Sequence, residues 1–418
     1  MRRRMRSFLR NNMLILVLLN SSNIFNYLFQ LTAGRGLTTI DYGSFNAVNS
    51  MAVILSAPIA VLPFVFSRYT VQLAESGLEQ VKRLLVTGFR ATIFFAGALF
   101  LIGLVAIPWL QNFLHLESKT PIVIMLVQLA LSLVFPVFLG VIQGLHRFTA
   151  FGICSSSVAL VRFLSGLVFV LALEWGVNGA LLSGTIGTLI AMGIGVWAVR
   201  DILKVPGEPL PHDLFSEMRK YSFPVFLSTT MVMVLGNLDI VLVKHFCSPE
   251  EAGLYAIAAI LGRIAMFLPG VLMIVLFPEA SKAQTKGKED ARILWVSLAM
   301  TAFLGGSVAL VCAFWPGEII VLLFGAKYQA GAELLKIISL AMAMLAVANV
   351  IFTYCLARSE FKFLWPLAMG VGVMLLLIVN FHDSALTIAK MVLYSIGVIL
   401  AGTLAWYFLS SRRPLPSS

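Results

Sequence analysis

The chain has 418 residues, of which 60% are hydrophobic and only 12% charged, against roughly 25% charged in ordinary soluble domains. A water-soluble fold of this length has no means of hiding so much apolar surface, so lipid must solvate most of it. The net charge of +11 fits basic residues flanking apolar segments and facing anionic lipid; it is a poor sign of nucleic-acid binding.

Apolar stretches of 18 or more residues recur along the chain, each long enough to cross ~30 Å of hydrocarbon as a helix. Alternation of period two is absent, which argues against an outer-membrane barrel. The expectation is an all-α polytopic membrane protein with twelve spans, near 13–33, 44–68, 85–110, 121–145, 149–173, 177–200, 222–246, 253–278, 291–314, 333–357, 361–380 and 385–410. The opening MRRRMRSFLR has the basic character of a signal peptide, but no small-residue cleavage site follows, so the first span is read as uncleaved.

Taken in order, the first span carries a polar stripe of Asn20, Asn23, Asn26 or Tyr27, and Gln30 at three- and four-residue spacing. Such a stripe hydrogen-bonds neighbouring helices or lines a wet cavity. Arg35, within Gly34-Arg35-Gly36, ends that span and either snorkels or guards an outer mouth. Arg68, Arg147 and Arg358 end later spans on the opposite side, where they set topology or capture a headgroup at an inner mouth. Arg162 lies some 13 residues into the fifth span. Proline-rich 206–211 and the amphipathic-looking HDLFSEMRKY then separate six spans from six. The expected organisation is a first lobe over 1–205, a linker over 206–221 and a second lobe over 222–418.

The seventh span holds Ser228, Thr229, Thr230, Asn237 and Asp239, and the eighth holds Arg263. At ~1.5 Å per residue, Asp239, Arg263 and Arg162 fall in one band of the outer half of the bilayer. A charge at that depth costs about 2.5–3.5 kcal/mol on insertion scales, so it normally faces a cavity or a partner. Two readings stay open. In one, Arg162 and Arg263 hold an anionic headgroup, for which the guanidinium fork suits phosphate, while Asp239 pairs with an arginine or binds a coupling cation. In the other, Asp239 and Arg263 form a structural pair between adjacent helices.

Orientation follows from Lys and Arg. With a cytoplasmic N-terminus, 22 of the 30 flank the cytoplasmic side and six the other, with Arg162 and Arg263 inside. Both termini are then cytoplasmic. A shift of 210 residues places Asp41-Tyr42-Gly43-Ser44-Phe45 on Glu251-Ala252-Gly253-Leu254-Tyr255. Pro58 then approaches Pro269, Pro108 answers Pro316, and QGLHRF answers CLARSEF. These matches read as two parallel repeats related by an axis along the membrane normal, a recurring transporter plan. The four cysteines have no metal-ligand spacing and read as packing residues. No catalytic constellation and no phosphate-binding GxxxxGK[ST] loop occurs, so neither an enzyme nor direct ATP drive is expected.

DYGSFNAVNS (41–50), GVIQGLHRF (140–148), LDIVLVKHFCSPEEAGLYAIAAILGRIAMFLP (238–269), VLFPEASK (275–282) and LLFGAKYQAGAELL (322–335) together resemble the polysaccharide-transporter flippases. These belong to the multidrug/oligosaccharidyl-lipid/polysaccharide exporter (MOP) superfamily. The resemblance implies two six-helix lobes around a central cavity, rocking between inward- and outward-facing states. It implies an undecaprenyl-diphosphate-linked oligosaccharide as cargo, carried across a bacterial cytoplasmic membrane without a cofactor. The partners it implies are the lipid-linked glycan, membrane lipids and glycan polymerase machinery. By this analogy Arg263, Asp239 and Arg162 match cavity positions; the helix-end Arg35 and the amides Asn23, Gln30 and Asn237 of the polar faces are further expected contacts, read from the residues themselves. Drug exporters of the superfamily commonly carry an acid in the first helix, where this chain offers only amides. A cation-coupled exporter of small amphiphiles is the alternative.

Overall fold

A computed structural model of the chain describes residues 21–211, 214–269, 291–357 and 361–411, and nearly all of them are helical. Parts of the expected first and eighth spans, the motif at 275–282 and Arg358 lie outside the described residues.

Helix α1 covers 21–36. Thr38 caps α2 (Thr39–Ser56): its hydroxyl accepts from the Asp41 backbone N–H and donates to the Asp41 carboxylate, which satisfies an orphan donor of the first turn. One span over 44–68 is expected from the sequence, and in the structure it is bent. A 3-10 turn over Ala57–Val61 separates α2 from α3 (Leu62–Ala74), and the two axes meet at 59°. Pro58 and Pro63 account for the break, because each removes a backbone donor from the ladder.

Helix α4 (Leu78–Phe113) is followed by α5 (Thr120–Gly144) and α6 (Phe148–Gly166), which a π-helical segment extends over Leu167–Ala172. Then come α7 (Gly176–Ala198) and α8 (Leu214–Phe246). The second half of the expected linker is therefore the first turns of α8. Helix α9 (Pro249–Gly262) opens with a capping box, in which the Ser248 hydroxyl accepts from the Glu251 N–H while the Glu251 carboxylate accepts from the Ser248 N–H. Residues 264–269 are again helical. Helices α10 (Ala291–Phe314), α11 (Pro316–Phe324), α12 (Ala332–Ala357), α13 (Leu364–Asn380) and α14 (Ala385–Ser411) complete the chain.

Among the described residues, ten helices are long and apolar enough to cross a bilayer, or eleven when the bent pair α2–α3 counts as one span. The chain divides into two compact units, Met1–Thr230 and Met231–Ser418. In the first, α5 packs against α3, α4 and α7, and α6 packs against α7. In the second, α12 packs against α9, α10 and α14, and α13 packs against α14. The pattern of neighbours is the same in each unit, in chain order.

Close backbone approach makes α5 central to its unit. A Cβ on Gly140 would lie 2.8 Å from the Pro63 carbonyl oxygen and 3.2 Å from the Ser67 nitrogen, so only glycine lets α3 seat there. Beneath this contact lies a core of Val65, Phe66, Leu84, Leu85, Val137, Val141, Val199 and Ile202.

Candidate functional site

Of the three intramembrane charges expected from the sequence, Arg162 falls in the first unit and Asp239 and Arg263 in the second. In the second unit, α8 carries Asp239, fully buried, and α9 ends at Arg263 beside it. The Arg263 guanidinium stands 3.7 Å from the Asp239 carboxylate, close enough for an ion pair and too far for a hydrogen bond. The other carboxylate oxygen accepts a 2.9 Å hydrogen bond from the hydroxyl of Tyr255, which is also fully buried. Three buried atoms of the pair make no hydrogen bond: Asp239 Oδ1, Arg263 Nε and Arg263 Nη2. Charges taken out of water hold their place only when such valences are filled. This pair is therefore incompletely satisfied, with valences that a further anion or cation could fill.

In the first unit, α6 carries Arg162. Gly187 of α7 makes room beside it, since a Cβ there would sit 2.5 Å from the Val158 oxygen and 3.3 Å from the Arg162 nitrogen. The Arg162 guanidinium lies 4.2 Å above the ring centre of Phe29 in α1 and donates a 3.3 Å hydrogen bond to the Asn49 side chain of α2. Its buried Nε makes no hydrogen bond. No carboxylate forms an ion pair with it among the described residues. A ring face and one amide oxygen partly offset the charge, and the arrangement can accept an anion.

The residues on which the two arginines rest occupy corresponding registers. Phe29 and Phe45 pack edge to face at 5.9 Å, and the shift of 210 residues carries them onto Asp239 and Tyr255, the hydrogen-bonded pair of the second unit. The same shift carries the Thr38 cap onto the Ser248 cap. One position of the repeat is thus apolar in the first unit and acidic in the second, and an arginine rests on it in both.

The other candidates divide by contact. Gln30 accepts a 3.0 Å hydrogen bond from the Tyr42 hydroxyl, which ties α1 to α2. Asn237 donates to the Met233 carbonyl one turn earlier on its own helix. Asn23, Arg35 and Arg68 are exposed. Arg147 forms a two-pronged pair with Asp201 and also donates to the Ala198 carbonyl at 2.6 Å, fastening the α5–α6 turn to the end of α7. The Arg147–Asp201 hydrogen bond raises the Arg147 pKa and holds the Asp201 carboxyl down at about 2. Phe29, Asn49 and Tyr255 were not singled out from the sequence, although the 210-residue register that aligns Phe45 with Tyr255 marks two of these three positions. Among the described residues, no three His, Cys, Asp or Glu side chains gather as a metal ligand set.

Comparison with known proteins agrees with this architecture. A family described as "Polysaccharide biosynthesis protein" matches residues 35–333. The chain belongs to that family, and its long apolar helices make it a multi-pass integral membrane protein. An uncharacterized membrane protein of Methanocaldococcus jannaschii, MJ1375, is 20% identical over 224 residues, 51% of this chain and 52% of that protein. The match thus spans about half the length of the relative. Among solved structures, the inward-facing conformation of a multidrug resistance MATE family transporter superposes with a TM-score of 0.77 at 11% identity, over 96% of this chain and 98% of that one. The inward closed conformation of the lipid II flippase MurJ gives 0.75 at 13% identity, over 95% and 87%. At these identities the likeness establishes the fold alone. The resemblance read from the sequence motifs holds at the level of the family.

Proposed function

We propose that the protein is a flippase that carries an undecaprenyl-diphosphate-linked oligosaccharide across a bacterial cytoplasmic membrane by alternating access, driven by an ion gradient or the membrane potential. The observation that carries this reading is Arg162, an intramembrane guanidinium with a buried Nε and no ion-pair carboxylate among the described residues. Such a group favours an anion, and a diphosphate offers oxygens for its fork. Arg263 supplies the second cation, restrained by Asp239 until a coupling cation occupies the carboxylate. Asn23, Gln30 and Asn237 contribute amides for sugar hydroxyls. The reading assigns Arg35 to the outer mouth and Arg68, Arg147 and Arg358 to the inner one, with both termini cytoplasmic.

Twelve spans in two pseudo-symmetric lobes form part of the reading, supported by the recurring pattern of helix neighbours and by the paired caps at Thr38 and Ser248. Membership of a polysaccharide biosynthesis family and likeness to a lipid II flippase support the cargo class. A second reading, a cation-coupled exporter of small amphiphiles, is favoured by the buried Asp239 carboxylate and by likeness to a multidrug transporter.

Reconstituted protein offered either a polyprenyl-diphosphate glycan or a lipophilic cation separates the two. The flippase reading expects leaflet transfer of the glycolipid and its loss in Arg263→Ala, with the variant still present in the membrane. Uptake of the cation together with no transfer of any diphosphate lipid would favour the exporter.

A further inference from the structure

A groove of about 400 Å³ opens on the first unit between α4, α5 and α7. Its walls are entirely apolar: Phe89, Ile93 and Phe100 from α4, Val127 and Leu131 from α5, and Met192 from α7 are the main contributors. A Cβ placed on Gly97, midway along it, would meet nothing within 4 Å. None of the groups assigned above to cargo or coupling touches this groove.

The stripe of α4 that lines it continues beyond it as charge. Arg83, Arg90, Ile93, Gly97 and Phe100 follow one another at helical spacings of seven, three, four and three residues, so they share one face. Arg83 and Arg90 are both exposed, and neither forms an ion pair among the described residues. Both lie toward the α4 end that the basic-residue count assigns to the cytoplasm. From Arg90 to Phe100 the rise is about 15 Å at ~1.5 Å per residue, half of the ~30 Å hydrocarbon core. That is the depth of one leaflet. A polyprenyl chain long enough to anchor a glycan would overrun it, whereas a single acyl chain would fill it.

We propose that this face is a binding site for one anionic phospholipid of the cytoplasmic leaflet, its phosphate held by Arg83 and Arg90 and one acyl chain lying along Ile93, Gly97 and Phe100. Two exposed guanidinium groups beside an apolar slot select an anionic headgroup over a zwitterionic one, because a zwitterion brings its own cation into the same field.

Native mass spectrometry of the full chain, released from membranes containing phosphatidylglycerol and phosphatidylethanolamine, reads this directly. Wild type should retain one phosphatidylglycerol in several-fold preference to phosphatidylethanolamine. R83Q/R90Q should lose the preference, and Gly97→Phe, which fills open space without meeting backbone, should lose the lipid itself. Arg200→Gln, whose guanidinium rests on Trp197 away from the groove, should retain both. Equal retention in the two groove variants, or no headgroup preference in wild type, overturns the site. Displacement of the bound lipid by undecaprenyl phosphate at equimolar ratio overturns the phospholipid assignment and gives the groove to a prenyl chain.

Discussion

A guanidinium withdrawn from water needs an anion, a ring face or a full set of acceptors, and the two units meet that need differently. Arg162 rests on Phe29 and Asn49, whereas Arg263 leans on Asp239, whose carboxylate is also held by Tyr255. Tyr255→Phe leaves a buried carboxylate oxygen without its donor, a loss of about 1–3 kcal/mol. Thermal unfolding in detergent should therefore shift down by several degrees, and an unchanged midpoint would mean that the hydroxyl contributes nothing. The charges were visible in the sequence because an ionised side chain inside an apolar helix is rare and costly. Phe29, Asn49 and Tyr255 were not, because rings and amides are common in spans and acquire meaning only through what they touch. Arg147 was legible as a basic helix end, but its partner Asp201 lies 54 positions away and no local pattern links them.

Among elements, the bent span shows where periodicity falls short. Hydropathy alone makes 44–68 one helix; Pro58 and Pro63 turn it into two, and the bend brings α3 against α5 at Gly140. Gly140→Val should force α3 and α5 apart and lower the folded yield after detergent extraction, since the new side chain meets backbone atoms that have nowhere to move. A yield equal to wild type would refute that close contact. The Arg147–Asp201 pair has a predictable pH range. Its carboxyl is depressed to about 2, so the stabilisation is complete above the unfolded value of roughly 3.9 and fades only as pH falls through the folded one. The difference in unfolding temperature between wild type and Asp201→Asn should stay constant between about pH 5 and pH 9. A difference that changes near neutrality would place another titrating group in the contact.

For the whole molecule, composition fixed the solvent and the helical class, and span lengths placed most helices within a few residues. The repeat was legible because the caps and the glycine before each second span obey the same local chemistry. The repeat diverges at one point, where the aromatic pair Phe29–Phe45 of one unit corresponds to the acid–phenol pair Asp239–Tyr255 of the other. On the proposed reading, one half holds a cation without an ion-pair carboxylate among the described residues and the other a cation paired with an acid. The most direct test is the rate at which a polyprenyl-diphosphate glycan changes leaflet in proteoliposomes holding wild type, Arg162→Lys or Arg162→Gln. The account predicts at least a tenfold fall for the glutamine variant, about 1.4 kcal/mol of lost interaction, and partial activity for lysine, which keeps the charge without the fork. A glutamine variant that is folded and transfers at the wild-type rate would contradict it.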